Sequence, residues 1–275
     1  MRFVKKKLKR RRERERQDMI QKFDFTSQPS ILVQGAMEIE TDYLTGQLAD
    51  AVCVTVGNWK YTTGFLGERR VPVIVSRTYQ GMANAAAATA LALTHFAPCA
   101  VINQGIAGGH AKELHVGDLV IGEKVVPMGA VMQEFRPEGG GIAPLGFTPL
   151  FLEIYDKEKA ATEKVFAFDC DERLVAAAGT VKTGLRVHKG VLGSADEWNN
   201  QIDWIAVMRE RYHTAAEDME SAAVAQMCRS FHVPFIGIRI ISNSIVNGEE
   251  FDESTALLGQ KFVADYIGEL HGFLG

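Results

Sequence analysis

The chain has 275 residues, 47% of them hydrophobic, and is therefore long enough to bury a sizeable core. Between Arg2 and Arg16 lie ten of the 30 Lys and Arg residues but only two of the 34 Asp and Glu residues. The rest of the chain thus carries 20 basic and 32 acidic residues, a net charge of −12. Such an acidic body argues against nucleic-acid binding by the folded domain.

Compartment and cofactors can be addressed from the cysteines and the apolar runs. The four cysteines are scattered and lack metal-ligand spacing, and three of them have apolar neighbours, as expected of small core residues in a reducing compartment. No apolar run approaches the ~20 residues of a membrane helix, and the segment after Arg16 lacks the apolar core of an export signal. We expect a cytoplasmic protein with no membrane span, no metal and no organic cofactor.

The first 28 residues form a strongly basic N-terminal extension. It could bind a polyanion such as RNA or an acidic lipid, but blocks of like charge are more often solvated. We therefore expect residues 1–28 to be disordered or helical, ahead of one domain that spans residues 29–275.

Apolar runs and helical periodicity alternate along that domain. The patterns predict, in chain order, strands over 30–35, 51–56 and 71–76, a helix over 81–96, a strand over 100–104 with a Gly-rich turn at 105–109, a strand over 118–126, a loop over 127–148, a strand over 185–194, helices over 202–212 and 219–231, a strand over 234–242 and a helix over 253–271. This alternation predicts a single-domain, three-layer α/β/α fold around a central mixed, twisted sheet.

Polar residues at the ends of the predicted strands are the candidates for a site, since ligands collect beyond the carboxyl ends of such strands. Glu40 lies one helical turn beyond Ala36 and could aim back at the strand end, or it could cap the turn. The Gly-rich segment 105–109 could cradle a phosphate, although a tight turn explains it equally well. Trp198, among polar neighbours, could stack on a planar ligand or pack on the surface.

Two more candidates lie near the C-terminal end. Glu220 could complement the dipole of a helix, or accept hydrogen bonds from a vicinal diol such as ribose. Asn243, at a strand end, could pair with the edge of a heterocycle or cap the following turn.

Five segments, in order, resemble the nucleoside phosphorylase and nucleosidase superfamily, and most of all the 5'-methylthioadenosine/S-adenosylhomocysteine nucleosidases. The matching segments are 35–40 (GAMEIE), 103–109 (NQGIAGG) with 116–118 (VGD), 193–200, 218–220 (DME) and 239–243 (RIISN). The resemblance implies N-glycosidic hydrolysis of a purine nucleoside in methionine salvage, by a homodimer in which residues 127–148 could form a lid.

The resemblance also implies roles for individual residues. Glu40 would orient or deprotonate the attacking water. The expected substrate-binding residues are Met37 and Ile106, Met219 and Glu220 for the sugar and its hydroxyls, Trp198 as the ring that stacks on the purine, Asn199 through its backbone at the base edge, and Ser242 as support for its neighbour.

The chain departs from the family at Asn243, because the family has there an Asp that hydrogen-bonds to N7 of the purine. An amide can donate a hydrogen bond but cannot transfer a proton. Three alternatives therefore remain open. The chain could be a 6-oxopurine nucleosidase of the futalosine type, a phosphate-dependent purine nucleoside phosphorylase, or a binding protein with a degenerate site. The acidic first loop, with Met37 and Glu38 after Gly35, favours water over phosphate as the nucleophile. Arg77 is the one cationic side chain that could enter the site and bind phosphate.

Overall fold

A computed structural model describes residues 29–270. The expectation for residues 1–28 lies outside the described residues. None of the helices within residues 29–270 has the length and hydropathy needed to cross a bilayer.

The strands and helices follow the predicted alternation. The strands are β1 (Ile31–Gly35), β2 (Ala49–Val56), β3 (Trp59–Leu66), β4 (Val71–Arg77), β5 (Ala100–Gly109), β6 (Leu119–Pro127), β7 (Val131–Gln133), β8 (Phe147–Pro149), β9 (Leu152–Asp156), β10 (Ala161–Val165), β11 (Phe168–Asp169), β12 (Val187–Ser194), β13 (Thr214–Asp218) and β14 (Phe235–Asn243). The helices are α1 (Asp42–Gly46), α2 (Met82–Phe96), α3 (Glu172–Ala178), α4 (Ile202–Tyr212), α5 (Ser221–Phe231) and α6 (Thr255–Glu269), with short 3₁₀ turns at Glu38–Glu40 and Ile245–Asn247.

Ten strands form one mixed sheet, whose order is β11-β6-β12-β13-β5-β1-β4-β3-β2. The tenth strand, β14, lies parallel to β5 and antiparallel to β6. Because β13 also pairs with β5, strands β5, β14, β6, β12 and β13 close into a ring. The predicted mixed, twisted sheet is confirmed, and the closed ring is a feature that the sequence pattern did not show.

Helices cover the sheet in two groups. The Ala-rich helix α2 packs against α5, while α6 packs on β5 and β14 together with α1 and α3. Strand β1 is buried at every position, as a strand covered on both faces must be. The predicted three-layer fold is therefore confirmed.

The Gly-rich segment 105–109 is not a turn, contrary to the prediction. It continues β5 without a break, because its backbone pairs with β14 on one side and with β13 at Gly108 and Gly109 on the other. A side chain at Gly105 would displace the carboxylate of Glu40, since a Cβ there would lie 2.5 Å from Oε1 of Glu40. The segment brings strand backbone close to a carboxylate and does not form an anion loop.

Two other boundaries differ from the predictions. The helix expected from residue 219 begins at Ser221, because residues up to Asp218 belong to β13. The expected loop 127–148 contains β7, which pairs with β8 as a small antiparallel hairpin.

Candidate active site

A cavity of about 540 Å³ opens at the carboxyl ends of β1, β5 and β14. Part of this volume is open to solvent, so the cavity is a cleft at the protein surface. Most of the predicted residues line it, namely Met37, Glu40, Ile106, Trp198, Met219, Glu220, Ser242 and Asn243. The fold thus brings together residues that are distant in the sequence.

Glu40 lies on the 3₁₀ turn after β1, and its carboxylate points back at the strand end. Oε2 accepts hydrogen bonds from the backbone N–H of Ala36 (2.7 Å) and of Met37 (2.9 Å), and Oε1 accepts one from Ile106 N–H (2.9 Å). Burial raises the pKa of Glu40, against the opposing effects of these N–H donors and of Arg239. A buried carboxylate held in this way is a candidate general base.

Glu220 lies at the start of α5 and faces the same cavity. Its Oε1 accepts a hydrogen bond from Gly81 N–H (2.9 Å), just ahead of α2. Burial, and then the charge of Asp218, raise the pKa of Glu220 to about 8. The carboxyl group is therefore mostly neutral at pH 7.

Asp218 holds the turn from β13 into α5. Its carboxylate accepts hydrogen bonds from the N–H groups of Glu220 (2.9 Å) and Ser221 (2.8 Å), and its Oδ2 lies 3.0 Å from Nε of Arg239. The Arg239 side chain is 1% exposed and also donates to the carbonyl oxygen of Asn103 (3.0 Å). This ion pair fixes the backbone that carries Met219 and Glu220, a role that neither residue had been given from the sequence.

Ser242 and Asn243 lie where the register between β14 and β5 shifts. Ile241 pairs with Ala107 and Asn243 with Gly108, so Ser242 is the extra residue of a β-bulge. The Ser242 hydroxyl donates to Oδ1 of Asn243 (3.0 Å). This contact orients the amide, and Nδ2 is the atom left to donate toward a ligand.

The aromatic wall of the cavity contains one predicted residue and one that was missed. Trp198 is 55% exposed, and its ring lies 5.5 Å from that of Phe251, which also lines the cavity. Phe251 precedes α6 in an irregular segment, and no pattern in the sequence signals its position.

Asn199 is placed differently from the expectation. It does not line the cavity, and its backbone N–H donates to Oε1 of Glu217 (3.0 Å). Glu217 itself lines the cavity and was not singled out from the sequence.

The described residues that line the cavity include five carboxylates and no Lys or Arg: Glu40, Glu197, Glu217, Asp218 and Glu220. Arg77, the cationic side chain that could have entered the site, instead pairs with Glu38, and its Nη2 lies 2.9 Å from Oδ1 of Asp42. Within residues 29–270, no group of three or more His, Cys, Asp or Glu side chains is arranged to hold a metal ion.

Comparison with known proteins agrees with this geometry. Residues 30–266 match the family described as the phosphorylase superfamily. A 5'-methylthioadenosine/S-adenosylhomocysteine nucleosidase of Bacillus cereus (strain G9842) is 32% identical over 249 residues, covering 87% of this chain and 99% of that protein.

Two solved structures extend the comparison. The nucleosidase of the same name from Neisseria meningitidis, in complex with methylthio-immucillin-A, is 29% identical with a TM-score of 0.70, covering 86% of this chain and 98% of that one. A futalosine hydrolase of Helicobacter pylori (TM-score 0.71, 24% identity, 89% and 100% covered) shares the fold. The chain therefore belongs to the phosphorylase superfamily and, within it, to the family of the 5'-methylthioadenosine/S-adenosylhomocysteine nucleosidases.

Proposed function

We propose that this chain hydrolyses the N-glycosidic bond of a purine nucleoside, with 5'-methylthioadenosine or S-adenosylhomocysteine as substrate, and releases the free purine and the sugar. The proposal rests on the position of Glu40 and Glu220 in one cavity whose described lining residues include no Lys or Arg. The relatives at 29% and 32% identity bear the same enzyme name.

The chemistry follows from the positions of the two carboxylates. Glu40 takes a proton from a water molecule, whose oxygen bonds to the anomeric carbon while the electron pair of the C–N bond leaves with the purine. Positive charge develops on the sugar as the bond breaks, and the buried carboxylates of Glu40 and Glu220 stabilise it. The same charge favours the ionised form of Glu220, whose pKa is otherwise raised to about 8 by burial and by Asp218.

Water is a better nucleophile for this cavity than phosphate. A phosphorylase needs cationic anchors for its anionic substrate, and the described lining residues offer only carboxylates as charged groups. Arg77 is neutralised by Glu38 and Asp42. Phosphate would therefore enter a cavity of its own sign, at an electrostatic cost.

A 6-oxopurine nucleosidase is the second candidate, and it rests on Asn243. Because Ser242 donates to Oδ1 of that amide, Nδ2 is directed to the ligand, where it can donate to both N7 and O6 of a 6-oxopurine. An adenine would use the same donor at N7 alone, and its 6-amino group would need another acceptor.

The test is to incubate the protein with methylthioadenosine, S-adenosylhomocysteine, inosine and futalosine, with and without phosphate, and to measure the released base. We expect release without phosphate, and the preferred nucleoside identifies the purine. Release that depends strictly on phosphate would refute hydrolysis. Binding of purines without turnover of any substrate would support the degenerate-site alternative.

We further propose that the protein is a cytoplasmic homodimer. The segment from β7 to β9 exposes several large apolar side chains, including Phe135 (90% exposed), Ile142 (91%) and Phe151 (60%). Apolar surface of this kind marks an interaction site. Sedimentation of the purified protein at micromolar concentration tests this, and a monomer would contradict it.

A further inference from the structure

Glu217 is a further buried carboxylate on the cavity, and the proposed mechanism has not used it. It shares one end of the cavity with Asn243, because a Cβ built on Gly108 would contact both Cγ of Glu217 (3.4 Å) and Nδ2 of Asn243 (3.6 Å). Glu40 and Glu220 are anchored elsewhere, at Ile106 and Gly81. Glu217 thus belongs to the end of the cavity where Asn243 meets the purine.

The carboxyl group of Glu217 is held by groups that can bear its charge. Oε1 accepts the backbone N–H of Asn199 (3.0 Å), and Oε2 accepts its side-chain Nδ2 (2.5 Å). Oε2 also lies 3.0 Å from Nε2 of His110, whose Nδ1 is 2.8 Å from the Thr214 hydroxyl. His110 is fully buried, but among the described residues its Nε2 has no hydrogen-bond partner, so Asn199 is the residue that holds the Glu217 carboxyl group.

A purine leaves as an anion unless a proton reaches one of its ring nitrogens. Asn243 can donate a hydrogen bond there but has no proton to give. A carboxyl group is able to give one, and general acid catalysis of this kind contributes roughly 10²–10⁴-fold. Glu217 is the carboxyl group that shares the Gly108 end of the cavity with Asn243.

We propose that Glu217 is the general acid of this site; the proposal rests on the proposed hydrolysis. The carboxyl proton of Glu217 passes to the ring nitrogen of the purine as the C–N electron pair departs. Glu217 is left as a carboxylate, stabilised by the two hydrogen bonds from Asn199. The water proton taken by Glu40 returns through solvent to Glu217, so the enzyme is restored and one water is consumed for each nucleoside cleaved.

The test compares two leaving groups in Glu217→Gln, which keeps the shape and loses the transferable proton. On methylthioadenosine we expect the rate to fall by about 10²–10⁴-fold. On 4-nitrophenyl riboside, whose nitrophenolate leaves without protonation, we expect a change of less than about 5-fold, because only general acid catalysis has been removed. Glu210→Gln, a change at an exposed position of α4, is the matched control for both substrates.

A rescue variant makes the same test on the purine nucleoside alone. Asn243→Asp in the Glu217→Gln background returns a carboxyl group to the purine end, and we expect it to recover about 10-fold or more. Equal losses on both substrates with no rescue would refute the acid role and leave Glu217 as a clamp for Asn199. Wild-type protein that cleaves neither substrate would instead refute the proposed function, and this proposal with it.

Discussion

The raised pKa of Glu220 leads to a prediction about stability. Its pKa is about 8 in the folded protein against an ordinary value of 4.5. Folding at pH 7 therefore requires the uptake of a proton that the unfolded chain does not hold. The pKa is higher in the folded protein than in the unfolded chain. The contribution of the neutral carboxyl group to the stability of the fold is therefore complete below pH 4.5 and is lost as pH rises through 8.

Glu220→Gln removes this cost, since the amide is neutral at every pH and its oxygen can still accept the Gly81 N–H. Each pKa unit corresponds to about 1.4 kcal/mol. The substitution should therefore raise the free energy of unfolding by about 3 kcal/mol at pH 7 and by less than about 1 kcal/mol at pH 5. For a domain of this size, 1 kcal/mol raises the melting temperature by roughly 2–4 °C. We expect the variant to be more stable than the wild type at pH 7 and to lose activity.

The assay is urea unfolding of the ligand-free protein at pH 5 and pH 7, with Glu210→Gln as the control at an exposed position. The control should shift stability by no more than about 0.5 kcal/mol at either pH. If Glu220→Gln gains the same stability at both pH values, or loses stability at pH 7 alone, the Glu220 carboxyl group is ionised in the folded protein and the reasoning is refuted.

Three further predictions concern catalysis and binding. Glu40→Gln should lower the rate of base release by about 10²-fold or more while purine binding persists, as equilibrium dialysis would show; an unchanged rate would exclude water activation by Glu40. Gly105→Ala should abolish turnover, because the new Cβ would lie 2.5 Å from Oε1 of Glu40, whereas Gly46→Ala, which meets open space, should have no effect in the same kinetic assay. Trp198→Ala should weaken purine binding by about 10-fold and Trp198→Phe should restore it, as expected if base stacking contributes 1–3 kcal/mol; an equal loss in both variants would argue against stacking.

Much of the fold could be predicted from the sequence because its strands are continuous apolar runs. Strands β1, β4 and β14 are buried on both faces, and their composition reflects that burial. Strand β13 could not be recognised in the same way, since it is short and ends in two acidic residues. The ring of strands was missed as well, because pairing between distant strands leaves no local signal.

The candidate site, like the fold, contains residues that could be predicted from the sequence and residues that could not. The segments that contain Glu40, Glu220 and Asn243 end predicted strands or begin helices, so their convergence followed from topology. Glu217 and Phe251 reach the cavity only through the placement of β13 and of the segment before α6. The orientation of the Asn243 amide depends on a bulge at Ser242, which no pattern of side chains announces.

The closed ring of strands has a consequence for the order in which the site can form during synthesis. Strand β14 completes the ring by pairing with β5 and β6. The backbone groups on that edge of each strand therefore stay unpaired until residues 235–243 have left the ribosome. Contacts between such distant segments form late and slowly. The base end of the cavity, carried by β14, is then assembled after the turn that carries Glu40. A nascent chain halted before β14 would expose the edges of its central strands to aggregation.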